Sequence, residues 1–178
     1  MADGVDRAAD ALTETHAVDT EITTLETLCC ALGDFGTDAS HGHDDEVVAG
    51  VLLPFRGTLS GAGLLSMDPE DALAWARSDG DCDSPIETFL ELGACMLAAV
   101  IQSASSALRA PTENGAAKLE ESSLAGCLLS THAPSDTVLI RTRIEIRAGH
   151  QHHHANLSLL MEPKVVSALL AALSVSMN

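Results

Sequence analysis

Along this chain the spacing of apolar residues switches between helical and strand-like rhythms. In "MADGVDRAADALTETHAVDTEITTLETLCCALG", Ala9, Leu12, Ala17, Ile22, Leu25, Leu28 and Cys29 recur at helical intervals. One interrupted helix or two short ones are predicted there. "GDFGTDASHGHDDE", rich in Gly, Asp and Ser, reads as a loop. From Val47, "VVAGVLLPFRG" and "TLSGAGLLSM" are β-like runs whose break at Arg56 and Gly57 predicts a hairpin, with Pro54 at a sheet edge or a bulge. "MDPEDALAWAR" predicts a short helix: Asp68 can cap it, Pro69 suits its first position, and Glu70 and Asp71 favour the positive end of the dipole.

The longest predicted helix begins at "SPIETFLELGACML". Ser84, Pro85 and Glu87 form a capping-box pattern, and Ile86, Phe89, Leu90, Leu97 and Ile101 supply an apolar face that runs to about Leu108. A polar connection, "RAPTENGAAKLEES", leads to "SSLAGCLLST", read as a strand. "TVLIRTRIEIR" alternates with period two, "AGHQHHH" reads as a turn, and "ANLSLLM" pairs back. Pro163 opens a last apolar helix, "PKVVSALLAAL". The order predicts an α+β fold: a largely antiparallel sheet with helices packed on one side, as a single domain over 1–178 with a helical N-terminal segment over 1–45. "LETLCCAL" (25–32) and "LELGACML" (90–97) echo each other as two pseudo-symmetric helices.

Composition narrows the function classes. The 178 residues are 46% hydrophobic, enough for one real core. With 26 acids against 9 bases the net charge is -17, a surface that repels phosphate backbones and anionic lipid. A protein or a small molecule is the expected partner, rather than nucleic acid or membrane. With no signal-peptide pattern and no apolar run near the ~20 residues of a membrane helix, a cytoplasmic location is expected. Cys29, Cys30, Cys82, Cys95 and Cys127 are odd in number and contain no CxxC pair, so they read as small residues of a reducing compartment. No nucleotide-loop or nucleophile-elbow motif occurs, and no cofactor is expected.

Three polar groupings stand out. Glu87, Glu91, Ala94, Ala98 and Gln102 fall along one stripe of the long helix, either as a shallow docking face or as solvated surface. His41 and His43 lie beside Asp44, Asp45 and Glu46, while His150, His152, His153 and His154 crowd the last hairpin; both groups are expected to be surface, with weak metal affinity and no resident metal. Arg141, Arg143 and Arg147 share a strand face with Glu145, a solvent-facing arrangement or an anion contact.

The stretch "FRGTLSGAGLLSMDPEDALAWA" leading into "SPIETFLELGACMLAAVIQSASSAL", with the closing "VLIRTRIEIRAGHQHHHANLSLLMEPKVVSALLAAL", resembles the CheC/CheX family of chemotaxis phosphatases over roughly residues 45–175. The resemblance implies a helix that docks on a phosphorylated CheY-type receiver through a glutamate, here Glu91, and orients the attacking water with an asparagine, whose place is taken by Ala94. It also implies a second signature on the N-terminal helix, where the candidates are Glu14 with Ala17 or Glu26 with Cys29; neither pair offers asparagine. The expected function is therefore response-regulator binding, as a phosphatase of altered chemistry or as a non-catalytic adaptor, with a homodimer as an open option. The alternative is a small-molecule or metal-binding module on a similar scaffold.

Overall fold

The structure, a computed structural model, describes residues 2–16, 20–35, 46–78 and 84–176. Helix α1 (Ala2–His16) is followed by strand β1 (Thr20–Ala31), a 3-10 turn (Leu32–Asp34), the hairpin β2 (Val47–Gly57) and β3 (Gly61–Met67), and helices α2 (Pro69–Arg77) and α3 (Pro85–Leu108). Short strands β4 (Thr112–Asn114) and β5 (Lys118–Ser123) precede helix α4 (Leu124–Leu129), the long hairpin β6 (Val138–Ala148) and β7 (Gln151–Met161), and helix α5 (Pro163–Ser176). The fold is α+β. All seven strands form one antiparallel sheet in the order β1-β6-β7-β3-β2-β4, with β5 also paired to β2.

Strand alternation gives the sheet two apolar faces. On one, Val51, Leu53, Leu65, Met67, Ile144 and Leu157 meet buried residues of α1, α2, α3 and α5. Trp75 of α2 sets its ring edge-on to Phe89 of α3, with centroids 6.1 Å apart. Each such fully buried side chain contributes about 1.5–3 kcal/mol through the water it no longer meets. On the other face, Leu52, Leu64, Leu139 and Leu160 meet Leu124, Cys127 and Leu128 of α4.

The close fit of α3 to the sheet depends on one glycine. A Cβ at Gly93 would lie 2.7 Å from Cγ2 and 2.9 Å from Cβ of Val51 on β2. Gly93 is therefore buried toward the sheet, and its small size serves that contact rather than the outer face of the helix.

Helix ends follow local chemistry. Asp68 accepts hydrogen bonds from the backbone N–H groups of Glu70 (2.8 Å) and Asp71 (3.3 Å), with Pro69 next to it, as its sequence predicts. Ser84 is extended before α3, but its hydroxyl makes no capping hydrogen bond, so the start rests on Pro85 and the predicted capping box is not formed. The far end closes at Arg109, which takes a left-handed φ of 51° and donates its N–H to Ser105 and Ser106.

Several expectations change. Residues 20–31 form a strand, not a second helix, because Thr20, Ile22, Thr23, Thr24 and Thr27 favour extended backbone and β6 offers a full ladder of partners. The echo between 25–32 and 90–97 is thus between a strand and a helix. "SSLAGCLLST" ends β5 and then turns helical: Ser123 accepts a hydrogen bond from Gly126 N–H and opens α4. The polar connection after α3 contains β4 and most of β5. The first hairpin turns at residues 58–60, one step later than predicted, and the second at Gly149 and His150, so that His152, His153 and His154 lie within β7.

Candidate functional site

Helix α3 lies on the sheet and packs against α1, α2 and α5. Among the described helices, α3 is long and apolar enough by length and composition to cross a membrane, contrary to the sequence expectation; here those apolar residues pack on the sheet. Its inner positions, Phe89, Leu92, Met96, Leu97, Val100 and Ile101, are buried. That anchoring fixes which side faces outward. Glu87 and Glu91 are exposed one turn apart, a rise of about 6 Å. Ala94 and Ala98 are half-buried, the latter packed against the main core, and Gln102 is exposed. Along the predicted stripe the ends are exposed, and small side chains partly sunk between neighbours occupy its middle.

Among the described residues no ion pair engages Glu87 or Glu91. Both carboxylates face outward with their charge uncompensated by the fold. Ala94 carries only a methyl group and can neither donate to nor orient a water. The amide of Gln102 lies eight residues further on, about 12 Å along the axis, too far to replace one at position 94.

The second set of candidates is divided by the fold. Glu14 is exposed on α1, which packs on α3, whereas Ala17 lies outside the described residues. Glu26 and Cys29 sit on β1, where the i,i+3 spacing of a helical signature places them on opposite faces of the strand. Glu26 is instead opposite Arg143 in the β1–β6 register.

The arginine strand is also accounted for by β1. Glu21 stands opposite Arg147 and pairs with it at 2.8 Å. Arg141 donates from Nε to Asn156 Oδ1 at 3.2 Å, and its guanidinium lies 5.7 Å from the centre of the Phe35 ring. His152 Nδ1 is 3.3 Å from Glu145. His153 alone among the β7 histidines turns inward; its side chain is 4% exposed, and Nδ1 lies 3.6 Å from Asp71 of α2. Glu46 is exposed, while His41, His43, Asp44 and Asp45 lie outside the described residues. Among the described residues no three His, Cys, Asp or Glu side chains gather as a metal site.

No protein-family profile matches the chain, and no curated protein sequence matches it. Solved structures do. Thermotoga maritima FliY aligns with a TM-score of 0.68 at 12% identity, over 96% of this chain and 90% of that one. A chain of the FliG–FliM complex from H. pylori aligns with a TM-score of 0.59 at 11% identity, over 94% of this chain and 91% of its own length. A chain of the CheX–CheY–BeF3–Mg complex from Borrelia burgdorferi aligns with a TM-score of 0.54 at 12% identity, over 90% and 96%. With α1, α2, α3 and α5 on one side of the sheet and the short α4 on the other, the chain has the CheC/CheX/FliY fold, in agreement with the resemblance in its sequence.

Proposed function

We propose that this chain is a cytoplasmic signalling protein that docks a CheY-type receiver domain on the outer face of α3. The observation that carries the reading is the pair Glu87 and Glu91: exposed, one turn apart, free of ion pairs among the described residues, and on a helix held rigidly by its buried side. A fold shared with a chain of a CheX–CheY complex supports it. Glu91 meets a basic group of the receiver, and the half-buried Ala94 and Ala98 permit close approach. Hydrolysis of an aspartyl phosphate needs a water held in line with the phosphorus. Ala94 supplies no group for this, so the native chain acts as an adaptor or as a slow phosphatase that relies on the receiver's own groups.

The test is a binding assay of the full chain against a panel of receiver domains, with and without a beryllofluoride phosphoryl mimic. One receiver is expected to bind more tightly with the mimic, and Glu91→Lys to weaken that binding by at least about tenfold through charge reversal. Ala94→Asn is expected to accelerate dephosphorylation of the same receiver markedly. Failure of every receiver to bind in either state would sink the proposal.

A second reading rests on the higher TM-score of the chain from the FliG–FliM complex, 0.59 against 0.54. In that case the partner is a protein other than a receiver domain, and binding is indifferent to the mimic.

A further inference from the structure

The face of the sheet opposite α3 carries a cavity of about 420 Å³, within the range of small-molecule sites. Its apolar side is formed by Leu52, Pro54, Ala62 and Leu160, contributed by β2, β3 and β7. The segment after α4 forms another wall, with Ser130, Thr131 and His132, the last held at a left-handed φ of 53°. Arg56 from the end of β2 and Lys118 from the start of β5 also line it.

Charge makes this cavity unusual for the molecule. The chain has only nine basic residues, two of them lysines, and a net charge of -17, yet one lysine and one arginine converge here beside a histidine. Among the described residues no ion pair engages Arg56, Lys118 or His132. Two acids come near. Glu162 lines the cavity but is paired with Lys164 at 2.6 Å, and Glu113 stands opposite Arg56 in the β2–β4 register without forming an ion pair. The result is a pocket with cationic groups over an apolar floor in a protein whose overall field repels anions.

We infer that this cavity binds a small organic anion, a carboxylate or phosphate on a short apolar body. Arg56 and Lys118 receive the charged head, His132 stands at the same wall, and the leucine floor takes the apolar part; the hydroxyls of Ser130 and Thr131 donate to the Cys127 and Leu128 carbonyls and are not available to the anion. The geometry explains why both features are needed. A bare inorganic anion would leave the floor wet, and a neutral apolar molecule would leave the cations unanswered. The site lies across the sheet from the receiver-docking face and does not depend on that reading.

Isothermal titration of the full chain with octanoate, octyl phosphate, octan-1-ol and octylammonium, below their micelle-forming concentrations, tests it. One equivalent of octanoate or octyl phosphate is expected to bind, whichever head is preferred, with octanol weaker and octylammonium not bound. The double variant R56A/K118A is expected to lose at least about tenfold in affinity, in line with the strength of charge-assisted contacts. Both side chains are exposed, so the thermal melt is expected to stay close to wild type. Ser60→Phe, which places a ring at the cavity lining, is expected to reduce binding with the charges intact. Equal binding of octylammonium and octanoate, or octanoate affinity unchanged in both variants, would overturn the inference, as would no binding of either anion.

Discussion

One face of the sheet lies under four helices and carries the larger core; the other is covered at one end by the six-residue α4 and turns polar toward the other end. Along β7 the outward positions run from exposed His152 and His154 through Asn156 to buried Ser158 and Leu160. Along β6 the matching positions run from Arg147 and Glu145 to Leu139. The same alternating strands therefore feed a dry helical layer on one side and a graded surface on the other. The denser packing lies where α3 is held. The thinner side leaves room for a cavity at its apolar end and the Glu21–Arg147 pair at its charged end.

The contrast can be broken by stability measurements. Trp75→Ala removes the largest fully buried side chain of the helical layer and is expected to cost about 3–5 kcal/mol in urea denaturation, against about 2–4 kcal/mol for Leu128→Ala on the buried side of α4. A larger loss for Leu128 would mean that the thin side, not the helical one, holds the fold. Gly93→Ala is expected to cost about 1–3 kcal/mol through its clash with Val51, reduced by the roughly 1 kcal/mol that alanine returns in helix propensity. In the double variant with Val51→Ala the two losses should be less than additive, since the shortened side chain admits the new methyl group. Simple additivity would mean that α3 can lift from β2 without resistance.

The pH dependence sharpens the thin side. Burial first, then the nearby Glu120 carboxylate, pushes the Cys127 thiol above its ordinary value of 9.0. The folded state thus holds the proton more tightly than the unfolded chain. Stability from this group is full below the unfolded value and is lost as pH rises through the folded one. A fall in stability on the alkaline side, flatter in Cys127→Ala, is expected; an identical slope in both proteins would remove Cys127 as its source. Cys30 is shifted the same way, chiefly by burial, and contributes a remainder. The smallest effect is expected at the charged end. Arg147→Ala breaks a surface pair with Glu21 and should cost under about 1 kcal/mol.

Legibility from sequence followed local signals. The α2 start could be read because Asp68 and Pro69 act on backbone within one turn, and β6 because Ile140, Thr142, Ile144 and Ile146 repeat with period two against a buried face. The stripe of Glu87, Glu91 and Gln102 was visible from helical spacing alone. Strand β1 was not: most of its residues are exposed on either side, which erases alternation, and Leu25, Leu28 and Cys29 imitate helical spacing by accident. Helix α4 is six residues of mostly apolar character, too short to show a period. The cavity drew Arg56, Lys118 and His132 from three separate segments, a convergence set by strand pairing that no local pattern reports.

The pairing of β1 with β6 joins distant parts of the chain: Thr27 and Thr142, 115 positions apart, bring their hydroxyls within 3.2 Å. During synthesis β1 leaves the ribosome long before its partner exists, and its closure entropy is met only once the β6–β7 hairpin stands ready. Glu21, Thr23, Thr24 and Glu26, all exposed, keep the waiting segment soluble and discourage pairing with other chains. The separation favours acquisition of β1 late in folding. Destabilising substitutions along it are expected to hasten unfolding while leaving the folding rate nearly untouched.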